Sequence, residues 1–92
     1  MKLPSKHYRE LYQFFAAVKG EKEMEKLMND LLTPQELLAI AERVQILKQL
    51  RLGKPQRQIA ADLGVSISTI TRGSRVSQFG NGIVDELMKR LA

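Results

Sequence analysis

The chain has no cysteine, a single histidine, five aromatic residues among 92, and no apolar run near the roughly 18 residues that a membrane-spanning helix needs. Without cysteine there is neither a disulfide framework nor a thiolate metal site, and one histidine cannot build a metal centre alone. Catalytic constellations are missing as well. There is no Ser/His/Asp set, no pair of carboxylates in an apolar setting and no glycine-rich phosphate loop, since Gly73-Ser74 is expected to close a helix instead of following a strand. No enzyme, no cofactor and no membrane partner are expected. The polar start MKLPSKHYRE does not resemble a secretory leader, and a cytoplasmic location is the default expectation.

What is present is basic charge in one region. Between Arg43 and Arg75 stand seven basic residues (Arg43, Lys48, Arg51, Lys54, Arg57, Arg72, Arg75) and one acidic residue, Asp62; the rest of the chain carries eight basic and nine acidic residues. The whole excess of +5 therefore surrounds one segment. Double-stranded nucleic acid is the natural polyanion for such a surface, and binding to it falls steeply with salt. An anionic membrane fits less well, because no basic amphipathic helix with bulky aromatics accompanies the charge.

That segment is Gln56 to Ser74, QRQIAADLGVSISTITRGS. Apolar residues at Ile59, Leu63, Val65, Ile67 and Ile70 give two short helices one buried side each, with a break of phase at Gly64. Glycine there suits a turn with positive φ. Ala60 is small enough for a second helix to cross closely, Ser66 is a ready N-cap, and Pro55 suits the first helical position. These are the marks of a helix-turn-helix over residues 55–75. The second helix presents Ser68, Thr69, Thr71, Arg72 and Arg75 on its open side, hydroxyls toward its start and guanidinium groups further on, a surface that fits a major groove. The alternative is a generic glycine turn between two helices with a polar outer face.

The other elements also read as helices. Residues 5–18 align Tyr8, Leu11, Tyr12, Phe15 and Val18 on one stripe, a core or dimer face, and Gly20 is expected to end that helix. His7 is expected to be exposed. Residues 21–32 turn Met24, Leu27, Met28, Leu31 and Leu32 inward. Thr33-Pro34-Gln35-Glu36 is a capping box that starts a helix running to about Leu52, with Gly53 as its stop. Leu37, Leu38, Ile40, Ala41, Val44, Ile46, Leu47, Leu50 and Leu52 cover more than half of its circumference. A helix apolar on so many sides needs more neighbours than one 92-residue chain supplies, which predicts a symmetric homodimer. VSQFGNG after Arg75 marks a turn, and a last helix over 81–91 offers Ile83, Val84, Leu87, Met88 and Leu91 as its apolar face.

With LLTPQE at 31–36, ERV at 42–44, Gly53 and above all STITRGS at 68–74, the sequence resembles the tryptophan operon repressors. The match is close over residues 31–74, and the flanks agree only in helical pattern. The resemblance implies an all-α, six-helix intertwined homodimer with a helix-turn-helix reading head, a single domain over residues 1–92 with core helices in 5–52 and 81–91. It implies L-tryptophan as co-repressor, its indole between Arg43 and Arg72, its amino-acid end held by Thr33 of the partner subunit, and Gly73 leaving room for the ring. Guanidinium planes suit both an aromatic face and a carboxylate. The operator-facing positions implied are Gln56, Arg57, Ser66, Ile67, Ser68, Thr69 and Thr71, with Arg72 shared.

Departures from the family's pattern lie at Val76, where a serine stands beside the ligand, at Ala60, where a lysine faces DNA, and between Gly53 and Gln56, one residue shorter. That shorter turn and QFGNG resemble a second branch of the superfamily, so a DNA-binding regulator with no ligand or another effector stays open beside the tryptophan reading. Read from the residues alone, Thr33 is explained by capping, Arg43 by an ion pair and Arg72 by a phosphate. A helix-turn-helix that binds protein is the alternative from a different class, and it predicts little salt dependence.

Overall fold

The computed structural model describes residues 4–78 and 80–92, with the backbone alone of Ser77. The described residues form six α-helices and no strand: α1 (Ser5–Ala17), α2 (Gly20–Leu31), α3 (Pro34–Arg51), α4 (Gln56–Leu63), α5 (Ile67–Gln78) and α6 (Ile83–Leu91). The chain is all-α, as its periodicity predicts. It divides into two compact units, one ending at Leu37 and the other spanning Leu38–Ala92.

In the first unit α1 and α2 bury no residue completely. The stripe expected over residues 5–18 is largely uncovered: Tyr8, Leu11, Tyr12 and Phe15 are exposed and Val18 is half-buried, and Phe14 and His7 off the stripe are exposed too. Gly20 does not close α1. With φ +80° it turns the chain after Lys19 and opens α2, and the Lys19 N–H donates to Glu23 Oε1 at 2.8 Å. The capping box at the start of α3 forms in both directions. The Thr33 N–H donates to Glu36 Oε1 at 2.8 Å, and the Glu36 N–H donates to Thr33 Oγ1 at 3.1 Å.

In the second unit the core is small and lies under the helix-turn-helix. Ile46 of α3, Ile59 and Ala60 of α4 and Ile70 of α5 are buried together, with Leu50, Leu63 and Val65 packed at their edge. Alanine at 60 is buried, which permits the close crossing of α4 and α5. Glycines end both helices before the reading helix. Gly53 (φ +82°) closes α3 in a Schellman motif, its N–H donating to the Leu50 carbonyl at 3.0 Å and the Lys54 N–H to the Gln49 carbonyl at 3.3 Å. Gly64 (φ +67°) ends α4 with a different pairing: its own N–H and that of Val65, the latter at 3.0 Å, both donate to the Ala60 carbonyl.

Three further boundaries differ from the sequence reading. Pro55 is the residue before α4 and not its first helical residue, with an extended backbone (φ −61°, ψ 143°). The reading helix does not stop near Arg75 but runs through Gly73 and on to Gln78. α6 begins at Ile83, two residues late, because Asn81 Oδ1 accepts from the Ile83 N–H at 3.2 Å and Gly82 takes φ +86°. Phe79, part of the expected QFGNG turn, lies outside the described residues.

Much apolar surface is left uncovered. Leu38, Ile40 and Val44 on α3, Leu52 just after it, and Ile83, Val84, Leu87 and Leu91 on α6 are exposed, whereas the buried hydrophobics of the described residues are Ile46, Leu47, Ile59, Ala60 and Ile70. Unpartnered faces of this extent on helices mark sites of association.

Candidate nucleic-acid interface

The start of α5 is built from hydroxyls. Ser66 caps it as its sequence position predicts: Ser66 Oγ accepts from the Thr69 N–H at 3.2 Å. The same oxygen lies 2.9 Å from Ser68 Oγ and 2.8 Å from Thr69 Oγ1. Three hydroxyls thus share one hydrogen-bonded cluster at the positive end of the helix dipole, where backbone N–H groups and hydroxyls together favour an anion. Ser66 and Ser68 are exposed and Thr69 is half-buried. Ile67, counted by spacing among the buried residues, is 47% exposed instead, on the surface where the family resemblance puts it.

One contact joins the two helices across 15 residues of sequence. Thr71 Oγ1 lies 3.4 Å from Gln56 Oε1 and 3.0 Å from the Ile67 carbonyl. A hydroxyl has one proton to give. Both contacts are satisfied when Thr71 donates to Ile67 and the Gln56 amide is turned so that its nitrogen donates to Thr71, the two amide orientations being alike in shape. Spacing alone does not signal this pairing, since it depends on how α4 and α5 cross.

The basic residues divide into two sets. Arg51 stands 3.9 Å from Asp85 and Lys54 3.9 Å from Asp62. Arg43, Lys48, Arg57, Arg72 and Arg75 are exposed, and none has a carboxylate partner among the described residues. Of these, Arg57 lies on α4 and Arg72 and Arg75 on α5. Cations left without internal partners, beside a hydroxyl-lined helix start, suit the phosphates of a duplex that places α5 in its major groove.

The residues expected to hold an effector fall as follows. Thr33, in the first unit, has its hydroxyl and amide engaged in the capping box. Arg43 on α3 and Arg72 on α5 belong to the second unit, both exposed. Gly73 is buried inside α5, and the space its missing Cβ leaves is taken by Ile46: a Cβ there would stand 3.1 Å from Ile46 Cγ2. Sequence spacing does not single out Ile46 as the neighbour of Gly73. Among the described residues no group of His, Asp or Glu side chains could hold a metal ion, and no helix is long and apolar enough to cross a membrane.

The family model described as Trp repressor protein matches residues 6–92. Among curated proteins, the chain is similar to a Trp operon repressor homolog of Vibrio campbellii, 39% identical over 70 residues that make up 75% of this chain and 70% of that one. A Trp operon repressor homolog of Vibrio vulnificus is 47% identical over 55 residues, and the chain spans about half of its length, 54%. An uncharacterised protein of Bacillus subtilis, YerC, is 28% identical over 90 residues, 98% of this chain and 86% of that one. No solved structure matches. Six helices carrying a capped helix-turn-helix, and a family match that leaves out only the first five residues, show that this chain belongs to the Trp repressor family of helix-turn-helix DNA-binding regulators.

Proposed function

We propose that the chain is a sequence-specific repressor of transcription that binds double-stranded operator DNA as a homodimer, with L-tryptophan as co-repressor. The observation that carries the DNA half is that Arg57 on α4 and Arg72 and Arg75 on α5 are exposed with no carboxylate partner among the described residues, while the start of α5 carries the hydroxyls of Ser66, Ser68 and Thr69. Two such heads enter successive major grooves about 34–36 Å apart on a palindromic site. The homodimer is supported by the uncovered apolar faces of α1, α3 and α6, which one chain of this length does not bury. The names of the Vibrio relatives support the repressor role.

In this reading the indole of tryptophan lies between Arg43 and Arg72, bridging α3 and the reading helix, and Thr33 of the partner subunit meets its amino-acid end. A ligand bound in this way favours the DNA-ready orientation of α5 by about 1–3 kcal/mol. The test is titration of operator binding with and without L-tryptophan at fixed salt. Affinity rises roughly 5- to 150-fold if tryptophan is the co-repressor, and an unchanged affinity removes that half of the proposal. Arg72→Ala lowers both DNA and ligand affinity, whereas Arg57→Ala lowers DNA affinity alone.

A second reading, a DNA-binding regulator with no ligand or a different effector, is favoured by two observations. Ile46 occupies the space beside Gly73, and a relative that aligns over nearly the whole chain, YerC, is not named as a tryptophan regulator. A thermal-shift screen of amino acids and indoles separates the two readings.

A further inference from the structure

We infer that the contact between Gly73 and Ile46 is the seat that sets the orientation of α5, so that both are positioning residues for DNA reading. This rests on the DNA-binding reading above and needs no effector.

Gly73 sits in the interior of a 12-residue helix, where glycine is about 1 kcal/mol less favourable than alanine. Its backbone is not in the left-handed region, so conformational freedom does not account for it. Close approach does. A Cβ at position 73 would meet Ile46 Cγ2 at 3.1 Å, Ile46 Cβ at 3.8 Å and Ile46 Cδ1 at 4.0 Å. The nearest of these atoms is the branch methyl of a β-branched residue in a helix, whose χ1 has one strongly preferred rotamer. Ile46 is 1% exposed and packed with Ile59, Ala60 and Ile70, so it cannot swing aside into solvent. An added methyl at 73 is therefore accommodated by a shift of α5 relative to α3 of a few tenths of an ångström. Thr71 and Arg72 precede Gly73 directly and Arg75 follows two residues later, so the shift is carried to the reading face. Hydrogen bonds to base edges depend on position at that scale, whereas attraction to the phosphate backbone does not.

The test uses the full chain and two fluorescent duplexes. One is enriched by the wild-type protein from a random-sequence pool, and the other is a scramble of equal length and composition. Gly73→Ala is expected to weaken binding to the enriched duplex about tenfold and to leave the scramble within about twofold. Ile46→Leu, an isomeric change that moves the branch off Cβ and removes Cγ2, is expected to restore the Gly73→Ala protein to within about threefold of wild type. Ile46→Val retains Cγ2 and is expected to give no rescue. Equal loss on both duplexes, no rescue by Ile46→Leu, or equal rescue by Ile46→Val overturns the inference. If Gly73→Ala alone does not melt cooperatively, recovery of melting and of duplex preference in the Ile46→Leu double variant supports the seat, and no recovery overturns it. A wild-type protein that enriches no duplex overturns the DNA-binding reading and this inference with it.

Discussion

Raising the salt concentration from 50 to 200 mM should release this protein from DNA by an amount that its unpaired cations set. Arg57, Arg72 and Arg75 on the helix-turn-helix are exposed and have no carboxylate partner among the described residues, and Arg43 and Lys48 on α3 add at most two more. Each phosphate neutralised contributes about −0.9 to the slope of log affinity against log salt, so one reading head has a slope of about −2.7 to −4.5. The fourfold rise in salt then weakens one head by about 40-fold to about 500-fold. Two engaged heads make six to ten phosphate contacts, for which a loss of about 10³ to 10⁵ is expected. Fluorescence anisotropy of a labelled palindromic duplex across a salt series measures the slope, and its size tells whether one head or two are bound. Arg57→Ala should reduce the slope by about 0.9 per head. A wild-type slope shallower than about −2, or one that Arg57→Ala leaves unchanged, would refute the assignment of these cations to phosphates and favour a protein-binding helix-turn-helix.

Ser66→Ala removes the side-chain acceptor of the Thr69 N–H, leaving it the Ser66 carbonyl at 3.1 Å, and should lower stability by about 0.5–1 kcal/mol in denaturant unfolding, with operator affinity falling as well. Gly64→Ala should cost about 1–2 kcal/mol by the same measurement. No atom lies within 4 Å of the added methyl, so the whole penalty is the left-handed backbone at φ +67°, and Gly64→Asn should cost less. Gln56→Ala and Thr71→Val should each weaken operator binding, and the double variant should be no weaker than the worse single one; additive losses would show that the two side chains act independently.

The punctuation of this fold is legible in its sequence because it is local. Thr33 and Glu36 satisfy each other within one turn of helix, Ser66 caps the residue three places on, and Gly53 and Gly64 stand where the chain must take a positive φ. Misreadings arise where a distant packing partner overrides a local preference. Gly73-Ser74 reads as a helix end, yet α5 runs on through Gly73, whose missing Cβ faces Ile46, 27 positions earlier. Gly20 reads as a stop and instead opens α2. The candidate site follows the same rule. The cations and hydroxyls of α5 are visible in the sequence, whereas the Gln56–Thr71 contact and the pairing of Arg51 with Asp85 depend on helix crossings that no spacing encodes.

The reading edge of α5 is furnished with Ser66, Ser68, Thr69 and Thr71, groups whose single hydrogen rotates and which give or take a bond with equal ease. Such a vocabulary leans only weakly toward any one nucleotide. Replacing the Ser68 hydroxyl with asparagine, glutamine or arginine commits that place to adenine or guanine and leaves the Ser66 cap on the Thr69 N–H in place. The architecture therefore lends itself to divergence: descendants that keep these six helices can come to govern different promoters by a handful of surface changes.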